Sequence, residues 1–321
     1  MNTSAQKWKS SLIGQDHAID LISPYLDIFH AALTPAGRPA GVFLLLGPTG
    51  TGKTHTVETL AEVLHGSSRN VLTIHCGEYQ HDHETAKLIG APPGYLGHRE
   101  THPMISQSKL NAVQSETSPL SIVLFDEIEK ATPSLCRLLL GVLDKATLNL
   151  GDNTKVNFER SLIFLTSNLG AQEMQSRIEQ RFSIVRNEDS PPAGGRRACL
   201  EAAKKTLSPE FINRIDEIIH YNYLDVDAVR QIVDIQLVNL RGLLAERLGI
   251  TAPRVSISDR ARGELCRLGF NRQYGAREIK RVLFREILLR LARTINSGDR
   301  SDMTIDYRDG FVLVSAVGCY A

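Results

Sequence analysis

The chain has 321 residues, 42% of them apolar and 23% charged, and a formal net charge of +1. That length can supply two domains with separate cores, and the near-neutral charge removes any bulk electrostatic case for nucleic acid or an anionic membrane. No run approaches the ~18–20 apolar residues of a membrane span, and Met1–Trp8 lacks a signal-peptide core.

Apolar runs alternate with amphipathic stretches to about residue 222, which predicts an α/β fold with a parallel sheet under helices. The chain opens with a helix expected near Asp16–Leu33, stopped by the Pro- and Gly-containing linker Thr34–Ala40. Five strands are expected at Val42–Leu46, Val71–His75, Ile122–Phe125, Leu162–Thr166 and Ile218–Tyr221. Arg186–Arg197, with paired prolines and paired glycines, reads as an exposed loop. Beyond Leu224 the pattern changes. Val229, Val233, Leu237, Leu240, Leu244 and Leu248 line one long helix, and Ile279, Leu283, Ile287 and Leu291 line another. Short strands are expected at Val255–Ser258, Met303–Tyr307 and Phe311–Val314. The expected division is a large nucleotide-binding domain over 1–222 and a small α+β domain over 223–321. Cys76, Cys136, Cys199, Cys266 and Cys319 are scattered and never form C-x-x-C, which suits free thiols in a reducing cytoplasm.

The chemistry starts at Gly47-Pro48-Thr49-Gly50-Thr51-Gly52-Lys53-Thr54, which follows the first apolar strand and leads into a helix carrying Val57, Leu60, Ala61 and Leu64 on one face. This is a phosphate-binding P-loop. Its glycines let backbone N–H groups turn toward a phosphate, Lys53 supplies charge for the β/γ-phosphates, and the Thr54 hydroxyl is placed to ligate Mg²⁺. A glycine-rich turn without ligand is the bland alternative.

Four further elements decide whether nucleotide binding leads on to hydrolysis. The strand Ile122–Phe125 ends in Asp126-Glu127, at the edge where open α/β sheets bind ligands. Asp126 is expected to hold Mg²⁺ through water and Glu127 to act as general base on the attacking water. Asn168, after the strand Leu162–Thr166, can reach the γ-phosphate or that water, although asparagine there also forms turns. Arg214 can project to a neighbouring subunit's γ-phosphate as an arginine finger, or pair with Asp216. Arg277, opening a helix after Gly275-Ala276, can couple phosphate state to domain angle, or stand solvated.

With those residues in place, the chain resembles the second ATPase module of the Clp unfoldase and disaggregase family (ClpA/ClpB type), within the AAA+ ATPases. The strings that carry the resemblance are Leu12-Ile13-Gly14-Gln15, Lys87-Leu-Ile-Gly-Ala-Pro-Pro-Gly-Tyr95-Leu96-Gly97, Phe125–Ala131, Thr166–Gly170, Glu210–Asp216 and Tyr274–Arg277. The resemblance implies that Lys53, Thr54, Asp126 and Glu127 form the two Walker motifs, with Asn168 sensor one, Arg214 the arginine finger and Arg277 sensor two. It also implies that Leu12 and Ile13 border the adenine. Gly94-Tyr95-Leu96-Gly97 would then be a pore loop that grips polypeptide, with Tyr95 offering a large aromatic contact at low rotamer cost. Head-to-tail contacts repeat until they close, and the family closes at six.

The departures bear on partners. The N-terminal domain, the other ATPase module and the coiled-coil middle domain of long relatives have no counterpart in these residues, so a stand-alone module is expected. His98–Ser118 is longer and more polar than in typical relatives, and Asn271-Arg272 replaces the usual Asp-Pro. Phe182-Ser-Ile184 stands where peptidase-docking members carry an Ile-Gly-hydrophobic tripeptide, so docking to a ClpP-type peptidase is not expected. His81-Asp-His83-Glu84 reads as a solvated loop and not as a zinc site. The dispersed Lys7, Lys9, Arg196, Arg197, Lys204 and Lys205 read as surface and not as a nucleic-acid patch. The leading expectation is an ATP- and Mg²⁺-dependent hexameric protein remodeller that threads polypeptide. The rivals are a dedicated remodeller of one partner complex and a nucleotide-gated assembly scaffold.

Overall fold

Continuous apolar runs with no polar alternation belong to strands covered on both faces, and the computed structural model builds its centre from them. It describes residues 2–81, 84–90, 103–171, 193–271, 274–308 and 311–316. In chain order the strands are β1 (Gly41–Leu46), β2 (Leu72–His75), β3 (Ser121–Asp126), β4 (Thr147–Asn149), β5 (Lys155–Asn157), β6 (Ser161–Ser167) and β7 (Glu217–His220), then β8 (Val255–Ile257), β9 (Met303–Arg308) and β10 (Phe311–Ala316). Each of the five expected strands of the large sheet is present, with ends shifted by one residue. They form one parallel sheet in the order β2-β3-β6-β1-β7. Because all five run the same way, the C-terminal tips of β1, β3 and β6 lie side by side.

Both faces of the sheet are buried along the central strands β1, β3 and β6. Phe43 and Phe164 stack at 5.1 Å between centroids, and Tyr25 meets Phe43 edge-on at 5.0 Å. Val57, Leu60 and Ala61 are buried on the helix Lys53–His65, with Leu64 partly buried beside them. The helix Asp16–His30 ends three residues earlier than expected, because Ala32 adopts a left-handed conformation (φ 56°). A helix over Asn2–Ser11, which no apolar periodicity announces, is anchored through Trp8 and an ion pair from Lys9 to Asp20 at 2.6 Å. Trp8 is buried and donates its indole N–H to Thr59 Oγ1 at 3.0 Å.

The chain divides into two compact units, one of 1–48 with 52–222 and one of 223–321 with 49–51. In the second unit, β10-β9-β8 form a small sheet, antiparallel between β10 and β9 and parallel between β9 and β8. The long helix spans Val226–Leu248 and buries Val229, Val233, Leu237 and Leu244. The expected stripe Ile279, Leu283, Ile287, Leu291 is corrected in one place: Val282 takes the buried position and Leu283 is half-buried. A four-residue repeat overshoots the 3.6-residue α-turn, and a π-helical turn over Phe284–Leu288 accommodates it before the helix resumes at Leu289–Asn296. The exposed-loop reading of 186–197 is also corrected at its end, since Ala193–Thr206 is helical; residues 186–192 lie outside the described set. Among the described residues no helix is long and apolar enough to cross a membrane.

Candidate functional site

The P-loop leaves the tip of β1 with Gly47, Gly50 and Gly52 all at positive φ (145°, 77° and 107°). At Gly47 the requirement for glycine is also steric: a Cβ there would sit 2.6 Å from the Tyr221 carbonyl oxygen. Tyr221 is itself fixed, donating its backbone N–H to the Leu46 carbonyl (2.7 Å) and its hydroxyl to Thr56 Oγ1 (2.7 Å). Burial pushes the Tyr221 phenol well up, so the hydroxyl keeps its proton for that bond. Thr56 in turn donates to the Gly52 carbonyl at 2.9 Å, closing the first turn of the helix.

Lys53 begins that helix and is only 8% exposed. Its ammonium donates to the carbonyls of Gly47 (2.6 Å) and Pro48 (2.8 Å) and to Asn168 Oδ1 (3.0 Å). Thus the structure joins two sequence-predicted residues, Lys53 and Asn168, through a direct bond. Thr54 is half-buried in the same first turn. Leu12 is buried, with its Cδ1 3.5 Å from where a Cβ on Gly52 would be, and Ile13 is half-buried next to it.

Asp126 and Glu127 stand at the neighbouring tip. The β3–β6 register pairs Phe125 with Leu165, which brings Thr166 beside Asp126. Thr166 Oγ1 donates to Asp126 Oδ1 (2.5 Å) and accepts from the Glu127 backbone N–H (3.1 Å). The other Asp126 oxygen lies 3.6 Å from His75 Nδ1. Glu127 adopts φ 58°, ψ 53°, a left-handed conformation that costs a non-glycine residue roughly 1–2 kcal/mol. Its side chain is 39% exposed and Oε2 accepts from Lys130 Nζ at 2.6 Å. That hydrogen bond is the chief reason the Lys130 ammonium is pushed up. Glu129 binds the third tip: Oε1 accepts from the Asn168 backbone N–H (3.1 Å), while Oε2 is buried with no hydrogen-bond partner among the described residues.

Arg214 pairs with Glu210 (3.0 Å) and more loosely with Asp144 (3.8 Å), and donates to the Glu210 carbonyl (2.8 Å). The pairing with Asp216 weighed from the sequence is not the one found: Asp216 accepts from the Val42 N–H (2.8 Å) and from Arg38 (3.3 Å). Arg277 is exposed in the first turn of Ala276–Leu283 in the second unit. Tyr95 and Leu96 lie outside the described residues, as do Asp82 and His83 of the histidine-rich stretch. There Glu84 accepts from the N–H groups of His81 (3.0 Å) and Gln80 (2.9 Å), which holds its carboxyl below the usual range. Among the described residues no group of three or more His, Cys, Asp or Glu could hold a metal ion. Sequence reasoning gave no role to Thr166, Glu129, Lys130 or Tyr221. The first three sit inside strings it had quoted, but only the parallel register shows what they touch.

The donor set suits a nucleoside triphosphate with Mg²⁺. A buried ammonium and a hydroxyl follow the tip of β1 in a glycine-rich turn, and Asp126 at the tip of β3 offers a hard oxygen ligand. Comparison with known proteins gives the same direction. Residues 38–218 match the family model of the AAA domain (Cdc48 subfamily), and residues 224–305 match the C-terminal, D2-small domain of ClpB protein. Probable chaperone protein ClpB 1 of Chlorobaculum tepidum is 38% identical over 287 residues, covering 89% of this chain and 63% of that protein. Chaperone protein ClpB of Wolinella succinogenes is 36% identical over 313 residues, covering 96% and 34%. A closed-state cryo-EM reconstruction of Hsp104 with ATPγS and FITC casein superposes with a TM-score of 0.83 at 25% identity, over 98% of this chain and 51% of that one. The chain therefore spans about a third of the length of the Wolinella chaperone and about half of the Hsp104 chain.

Proposed function

The chain belongs to the AAA domain family, in its Clp branch, and from that premise we propose that it is a Mg²⁺-dependent ATPase whose turnover remodels polypeptide substrates within a ring. The observation that carries the reading is the direct bond from Lys53 Nζ to Asn168 Oδ1 at 3.0 Å, beside Asp126 and Glu127 on the next tip. Residues 1–222 are assigned to nucleotide binding and 223–321 to a lid.

Lys53 and the P-loop N–H groups bind the phosphates, and Leu12 and Ile13 border the base. Thr54 and Asp126 hold Mg²⁺, partly through water; when bound, the ion neutralises phosphate charge. Glu127 takes a proton from the attacking water through its carboxylate, and Asn168 orients that water or the γ-phosphate. Arg214 serves a neighbouring copy. It lies two residues before Asp216, which bonds to Val42 near the start of β1, so it belongs to the opposite end of the sheet from its own P-loop. The six residues of β1 put those ends roughly 20 Å apart, which supports a role for Arg214 at a neighbouring copy's phosphate and not at its own. Arg277 is assigned to sense phosphate state from the small domain. Tyr95 and Leu96 are assigned to grip an extended chain, the class of substrate represented by the casein in the Hsp104 structure. Four free cysteines among the described residues suit a cytoplasmic setting.

Glu127→Gln should bind ATP, stay assembled in sedimentation and hydrolyse at least ~100-fold more slowly. Rapid hydrolysis by that variant would remove Glu127 from its role. Tyr95→Ala should keep basal ATPase and lose threading of an unfolded protein. Undiminished threading would assign the grip elsewhere. Strong ATP-dependent assembly of the unaltered protein with negligible turnover would favour a nucleotide-gated scaffold.

A further inference from the structure

Thr166 is 2% exposed, one position before the end of β6, and carries a hydroxyl in an otherwise apolar strand interior. A buried hydroxyl needs partners, and here the partners are the two residues at the adjacent tip. Its single proton can satisfy only one acceptor. The Asp126 carboxylate accepts and the Glu127 N–H donates, so the proton goes to Asp126 Oδ1 (2.5 Å) and a lone pair receives Glu127 (3.1 Å). No other assignment satisfies both bonds. The bond to the Glu127 N–H falls on the residue held at φ 58°, which a carboxylate-bearing side chain adopts only where its surroundings impose it. Register supplies the reach: Phe125 faces Leu165 across β3–β6, and Thr166 faces Leu45 across β6–β1, so the hydroxyl sits on the strand between the P-loop strand and the acidic tip.

We propose that Thr166 is a positioning residue. Its hydroxyl ties the metal-facing carboxylate of Asp126 to the backbone of Glu127 and so fixes the direction in which the general base presents its carboxylate. The inference rests on reading this site as one that hydrolyses ATP. Thr166 touches no reacting atom; it acts through the other two. The ordinary alternative is that a buried threonine merely fills volume, and valine, which has the same shape, separates the two.

The test measures ATP affinity by fluorescent-nucleotide titration, steady-state turnover and thermal unfolding for the full chain. The variants are Thr166→Val, Thr166→Ala and Thr166→Ser. A misplacement of about 1 Å at a reacting group costs on the order of 100-fold in rate. Thr166→Val is accordingly expected to lose roughly 10- to 100-fold in kcat while holding ATP affinity within about threefold, and Thr166→Ser to stay within about threefold of the unaltered protein on both measures. If valine prevents folding, alanine, with room for a water, must show the same split. Unchanged kcat in Thr166→Val overturns the proposal, and so does a parallel loss of affinity and rate. It is also overturned if serine fails as valine does, or if both Val and Ala variants fail to fold. An unaltered protein without ATPase activity would instead remove the functional reading beneath it.

Discussion

The two ends of the five-stranded sheet use polar residues in opposite ways. At the N-terminal end Asp216 is spent on structure: it accepts from the Val42 N–H and Arg38, and its own N–H returns to the Val42 carbonyl at 2.9 Å. None of these three residues has a positive φ. At the C-terminal end Lys53 bonds to Asn168, and Thr166 bonds to both Asp126 and Glu127, at the tips of three strands, with a left-handed glutamate among them. That conformation costs a non-glycine residue stability, and here it falls on the residue proposed as general base, so on the proposed reading this is the end where stability gives way to chemistry.

The contrast breaks most visibly at Arg214, which belongs by position to the structural end yet is assigned to a neighbour's chemistry. Arg214→Ala should lower turnover by roughly 10³-fold or more while each copy still binds ATP. Mixing it with unaltered protein should poison turnover by the fraction of mixed contacts; a loss of less than about tenfold would return Arg214 to the structural end as a partner of Glu210. Asp216→Ala sharpens the contrast from the other side. It leaves the Val42 N–H without its acceptor, so about 1–3 kcal/mol of stability should be lost by denaturant titration, with turnover per folded molecule unchanged. A fall in turnover larger than the fall in folded fraction would mean that the two ends are not separable.

The smallest effect lies outside the sheet. Asp306, in β9, is held down to about 2, from an ordinary 3.8, first by Ser258 (2.6 Å), then by Arg308 and the Tyr307 N–H. A carboxyl depressed on folding stabilises the protein above its unfolded value and loses that contribution as pH falls through the folded one. Acid unfolding of the second unit should therefore include a step between about pH 4 and pH 2 that Asp306→Asn flattens. ATPase activity near neutral pH should not move. Because Ser258 also caps Asp259–Gly269 by accepting from the Ala261 N–H at 3.2 Å, the loss should appear as fraying of that helix.

Much of the molecule was legible in the sequence for identifiable reasons. Strands buried on both faces read as unbroken apolar runs, and glycine spacing around Lys53 has one common use, so the residues alone place the sheet and the P-loop. The resemblance to the Clp family pointed to Asn168, Arg214 and Arg277, whose residue types alone left bland alternatives standing. Most of what escaped was of two kinds. The helix Asn2–Ser11 buries Trp8 but has no periodic apolar face in its sequence to detect. The roles of Thr166 and Glu129 depend on inter-strand register, which a linear sequence does not encode locally. The π-turn at Phe284–Leu288 belongs to neither kind: its four-residue spacing was visible, and the error lay in treating it as an ordinary α-helical face.

The buried lysine has a consequence for how fast and how tightly an anion can be taken up. A free lysine side chain carries about 2 kcal/mol of rotamer entropy. By tethering Lys53 Nζ to two loop carbonyls and Asn168, the protein gives up that freedom when it folds and not when it binds. On the proposed reading, an arriving phosphate would meet a charge already oriented and would compete with three oxygens for it. The tether would then act as a threshold that favours a multiply charged polyphosphate, which can offer Lys53 more than the three oxygens it already holds.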